Sequence, residues 1–125
     1  MIDPGIIITN NVMTKDKINK KFKIIFIEGE LIEVLILTRD YIHKGHRLLT
    51  HPLMGSIKPN ETPYKTVLIS KANGETIDMD SLIIIESSIH TALKFLNIKK
   101  TPDWPQHILD DFSLIDYNLI YNAIN

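Results

Sequence analysis

The hydrophobic pattern changes period several times along the chain, and each change marks an element. Gly5-Ile6-Ile7-Ile8-Thr9-Asn10 is a short β-branched run stopped by polar residues, as in a buried parallel strand. Asn10 or Asn11 then caps a predicted helix from Val12 to about Phe22, with Ile18 and Phe22 one turn apart. Lys23-Ile24-Ile25-Phe26-Ile27 reads as a second strand, broken by Glu28-Gly29. From Glu30 to Lys44, Leu31, Val34, Leu35, Thr38, Tyr41 and Ile42 fall at helical spacing. Glu30 and Glu33 suit the start of that helix, and His43, Lys44 and Gly45 suit its end. His46 to Thr50 and Tyr64 to Ser70 are the third and fourth predicted strands. Between them, three prolines and a glycine exclude regular structure from His51 to Pro63. Asn73-Gly74 marks a turn, after which Asp78 or Asp80 caps a helix carrying Leu82, Ile85, Ile89, Ala92 and Leu96 on one stripe. Thr101-Pro102-Asp103-Trp104-Pro105 separates it from a last helix carrying Ile108, Phe112, Ile115 and Leu119.

Alternation of strands and helices predicts an α/β fold. The expected form is a small three-layer sandwich, a mostly parallel sheet of about four strands with helices on both faces. The long loop leaves the direction of the fourth strand open. The 125 residues, 44% hydrophobic and 23% charged, suit one domain over residues 1–125. With no cysteine, disulfides, thiolate metal sites and thiol nucleophiles are excluded. A net charge of −1 argues against nucleic acid as a partner. No apolar run approaches the roughly 20 residues that span a bilayer, so no membrane association is expected and a cytoplasmic location is the default. Isoleucine supplies 23 of the residues, and lysine outnumbers arginine 12 to 2, the composition of an AT-rich genome.

In open α/β sheets, ligands gather at the carboxyl ends of the strands. Here those ends carry Thr9-Asn10-Asn11, Glu28, and Thr50-His51 with the loop that follows. Residues 39–65 hold Arg39, Lys44, Arg47, Lys58 and Lys65 against Asp40 and Glu61. A small carboxylate or phosphate suits such a rim, with a helix N-terminus behind Asn10 and Asn11. Lys58 adds a point charge, and His51 a hydrogen bond or a proton. The candidate ligand-binding residues are therefore Asn10, Asn11, His51, Ser56, Lys58 and Asn60. Each has a plainer reading as a helix cap or a solvated loop residue. Metal-ligand spacing, the Gly-x-Ser-x-Gly elbow and the common nucleotide fingerprints are missing, so no metal, cofactor or catalytic residue is expected. Asp110, Asp111 and Asp116 read as a solvated acidic face of the last helix.

The run from Arg39-Asp40-Tyr41-Ile42-His43-Lys44-Gly45-His46-Arg47 through Leu53, and on from Gly55 to Lys65, resembles the GrdX family. So do Ile8-Thr9-Asn10-Asn11 and Asp111-Phe112-Ser113-Leu114-Ile115-Asp116. Members of that family are small proteins encoded beside glycine, sarcosine or betaine reductase genes in amino-acid-fermenting anaerobes. The resemblance implies a non-catalytic accessory or regulatory role, with a reductase component as partner. The family supplies no established activity, and a chain without cysteine cannot carry the thiol step of that pathway. The alternative is a small-anion binding protein or enzyme using the loop 50–63. Homodimerisation is a third expectation, since homodimers are the commonest oligomers.

Overall fold

A computed structural model describes residues 4–125. Its elements run β1 (Ile6–Thr9), α1 (Val12–Lys17), β2 (Lys23–Phe26), α2 (Leu31–His43), β3 (Thr66–Ile69), α3 (Met79–Ile98) and α4 (Gln106–Ile124). The strands form one mixed sheet in the order β2-β1-β3. β1 pairs parallel with β2, Ile6 opposite Lys23, and antiparallel with β3, Ile6 opposite Ile69.

Side-chain alternation sends β1 and β3 into two cores. Ile6, Ile8, Val67 and Ile69 pack with Leu31, Val34, Leu35 and Ile42 of α2 and with Ile85, Ile89 and Ala92 of α3. Ile7 and Leu68 point the other way, onto Ile18, Phe22 and Ile120. Both faces of these two strands are buried, which is why they read as unbroken apolar runs.

The expectation of four mostly parallel strands is corrected. Residues 46–50 make only an isolated antiparallel bridge, Leu48 to Ile69. Side-chain hydroxyls take over the bonds that would extend the ladder. Arg47 N donates to Ser70 Oγ at 2.8 Å, Leu48 N to Ser81 Oγ at 2.9 Å, and Leu68 N to Thr50 Oγ1 at 3.0 Å. Because this segment opposes β3, it runs parallel to β1, as the crossover through α2 requires. The loop after it turns the chain back, and β3 inserts between it and β1. The sheet is mixed for that reason.

One helix end also differs from the pattern-based reading. The first helix stops at Lys17, where Ile18 turns extended and becomes 2% exposed in the core. α2 ends at His43 with Lys44 as its cap, and the chain turns as expected at Gly45, whose φ of +103° is a left-handed conformation that suits glycine. A Cβ there would strike the Gly74 carbonyl oxygen. His46 N closes the turn on Tyr41 O at 3.2 Å.

The Ser81 hydroxyl is the acceptor that replaces a ladder partner for Leu48. Ser81→Ala is expected to lower the unfolding free energy by about 1–2 kcal/mol, the cost of an orphaned buried N–H. The exposed Ser87→Ala should stay within about 0.5 kcal/mol of wild type in the same urea titration. Equal effects would refute the role given to Ser81.

Candidate functional site

The carboxyl end of β1 and the amino end of β3 meet at one rim of the sheet, and every polar side chain there turns inward. Asn10 follows β1 and bridges three segments. Its Nδ2 donates to Gly29 O at 2.8 Å and to Pro63 O at 2.9 Å, and its Oδ1 accepts from Lys65 N at 2.9 Å. Asn11 is the cap of α1, accepting from Met13 N at 3.1 Å. The same Oδ1 accepts from Ser113 Oγ at 2.7 Å, while Nδ2 donates to Ser113 O and Asp116 Oδ2. Asn11 thus makes all four hydrogen bonds open to its amide and Asn10 three, every partner supplied by the fold itself.

Asp116 is the centre of this network. It sits mid-helix in α4, yet is 6% exposed. Its Oδ2 accepts from Thr66 Oγ1 at 2.7 Å and from Asn11 Nδ2 at 3.0 Å. Thr9 Oγ1 lies 2.7 Å from Thr66 Oγ1, a contact in which either hydroxyl can supply the proton, and it also donates to Lys65 O at 3.3 Å. Burial pushes the Asp116 carboxyl above the usual carboxylate range, against the pull of its hydrogen bonds and of Lys65.

Lys65 is the second buried charge, 7% exposed. Burial lowers its ammonium group below the ordinary lysine value, while Asp116 partly restores it. Among the described residues its amine has no hydrogen bond, and the one ion pair within 4.0 Å joins Arg39 to Glu86. Lys65 and Asp116 instead line a small cavity of about 10 Å³, closed by Met54, Ile57, Phe112, Ile115 and Leu119. That is about the room one water needs. The site sets an amine and a carboxyl, each pushed toward its neutral form by burial, against mixed walls that also include Thr62 and Tyr64.

The six residues singled out from the sequence lie in different places. Asn10 and Asn11 are in this network. His51 is exposed, its Nδ1 accepting from Leu53 N at 3.0 Å within its own turn, and Ser56 is exposed on the same loop. Lys58 and Asn60 line a separate groove of about 300 Å³ with Glu61, Lys99, Pro102 and Trp104. Asn60 Nδ2 donates to Phe95 O at 3.3 Å and Lys99 O at 3.1 Å, satisfying carbonyls at the end of α3. Its Oδ1 is buried without a partner among the described residues. Trp104 holds the loop down, its Nε1 donating to Glu61 O at 2.7 Å and its ring packed on Phe112.

Lys65, Thr66 and Asp116 were missed by pattern reading. Asp116 does not belong to a solvated face, because Ser113, Asp116 and Ile120 form the inward stripe of α4. The available signal was its spacing, four residues before Ile120.

A model of the GrdX-like protein family matches residues 6–125, nearly the whole chain. The chain belongs to the GrdX-like family. Neither the comparison with curated proteins nor that with solved structures found a match. In this family member no group of three or more His, Cys, Asp or Glu among the described residues is placed to hold a metal. No helix among them is long and apolar enough to cross a membrane.

The raised Asp116 value has a pH signature. The folded state holds this proton more tightly than the unfolded chain, whose value is near 3.8. The stability it contributes is therefore complete below that pH and is lost as pH rises through the folded-state value. Asp116→Asn removes this component. The unfolding free energy of the variant relative to wild type should climb as pH rises from 3.8, then level off. A difference independent of pH would overturn the assignment.

Proposed function

We propose that this protein is a non-catalytic accessory or regulatory protein of a glycine, sarcosine or betaine reductase system, acting by docking on a reductase component. The observation that supports this most is how the rim is used. The polar groups of Asn10, Asn11, Thr66 and Asp116 are spent on holding α4 and the loop to the sheet, around a cavity of one-water size. Meanwhile α4 turns Leu114, Ile115 and Tyr121 outward, more than 40% exposed each, beside the face that the network anchors. Exposed apolar side chains on a rigid helix are the ordinary material of a docking surface. Family membership supplies the reductase context. Tagged protein recovered from cells fermenting glycine should retain a reductase component, and Leu114→Asp should reduce that retention. Recovery of no reductase component would refute the reading.

A second reading, binding of a small carboxylate or phosphate, has one observation in its favour. Lys58 and Lys99 share the groove of about 300 Å³ beside Trp104 and Asn60. In this reading the loop 50–63 carries the ligand, with Lys58 supplying charge. A thermal-shift series with phosphate, sulfate, acetyl phosphate, glycine, sarcosine and betaine tests it. At about 100 times its dissociation constant a ligand adds about 2.7 kcal/mol. A saturable shift lost in Lys58→Ala would support this reading, and no shift with any of the six would exclude it for these ligands.

A further inference from the structure

β2 is an edge strand: β1 occupies one side, and no strand lies on the other among the described residues. Ile27 N donates to Thr9 O at 3.0 Å. In a parallel ladder, alternate residues bond one neighbour, so Lys23, Ile25 and Ile27 face β1. The N–H and C=O groups of Ile24 and Phe26 therefore point outward from the sheet.

Around this edge lies the densest run of like charge in the chain. Lys15, Lys17, Lys20, Lys21 and Lys23 fall within nine positions with Asp16 as the lone acid, in a protein of net charge −1. Lys15 Nζ stands 4.6 Å from the Phe26 ring centroid, and Lys21 Nζ 5.5 Å from that of Phe22. None of the five is in the ion pair found among the described residues. Lys17 and Lys21 also line a groove of about 360 Å³ with Tyr121 at the end of α4.

We propose that this edge receives an extended acidic segment of a partner protein, added to the sheet as a further strand beside β2. The backbone of Ile24 and Phe26 supplies the pairing, and the lysines select acidic side chains. A second copy of this chain does not fit. Antiparallel pairing of two β2 strands, Ile24 of each copy opposite Phe26 of the other, would bring the lysine-rich stretches from Lys15 to Lys23 of both copies together at one edge. Like charges would meet there. A nucleic acid fits poorly, because the patch has no arginine and its aromatic rings are covered: Phe22 is buried, and Phe26 lies under Lys15.

This inference rests on the docking reading above, and its test keeps the two apart. The probe is a short peptide alternating Glu and Val, compared with a Lys-Val peptide and with oligothymidylate. The full chain should bind the Glu-Val peptide in preference to both. Binding should weaken as salt rises from about 50 to about 500 mM. Amide exchange at Ile24 and Phe26 should slow in the complex. The triple variant Lys17→Glu, Lys21→Glu, Lys23→Glu should lose about tenfold or more in affinity. If that variant misfolds by circular dichroism, the corresponding Gln variant should still show a several-fold loss. Absence of binding, binding without protection of those two amides, or tighter binding of oligothymidylate overturns the proposal. Retention of a reductase component by the charge-reversed variant also overturns it but leaves the docking reading standing. Peptide binding without any reductase component recovered does the reverse.

Discussion

One carboxylate, Asp116, ties α4 to β3 and to the cap of α1. It is brought inside by α4, and the groups that receive it come from β3 and from the cap of α1. The arrangement is costly alone, since burying a charge without partners is strongly unfavourable. It is tolerable because Thr66 and Asn11 donate to it and Lys65 supplies positive charge nearby. Removing one partner would leave the others buried and unsatisfied, so these residues are kept as a set.

The loop from residue 51 to residue 63 depends on the same rim. Asn10 takes the Pro63 carbonyl and the Lys65 amide, so the strand that returns from the loop enters the sheet in one register. Asn60 and Trp104 pin the middle of the loop to the end of α3 and to α4. A proline-rich stretch without regular structure is thereby fixed at several points. The polar groups that gather where an α/β protein commonly binds ligands here build the scaffold. In the proposed reading, partners meet the outward face of α4 and the edge of β2.

The local elements were legible in the sequence because their causes are local. The β-branched runs of β1 and β2, the helical spacing from Leu31 to Ile42, the turn at Gly45 and the Asp78 cap all appear where the residues direct them. What was not legible depended on distant groups. Residues 46–50 have strand-like composition, but hydroxyls of Ser70, Ser81 and Thr50 take the bonds a strand would have used. Ile18 leaves the helical path because the core beneath β1 takes it. The phase of α4 was misjudged because its inward stripe includes a serine and an aspartate, polar residues whose partners lie about 100 positions away. Of the candidate site, Asn10 and Asn11 were found through their position after β1. Lys65 and Asp116 were not: the one local signal was the spacing of Asp116 four residues before Ile120, and the groups that surround both are distant in sequence.

The central claim is that Asp116 and its donors act as one structural unit. A double-mutant cycle on Thr66→Val and Asp116→Ala, read by urea unfolding, tests it most directly. If the hydroxyl and the carboxylate stabilise the fold through each other, the two losses will fall short of additivity by about 1–2 kcal/mol. Losses that add to within about 0.3 kcal/mol would contradict the account.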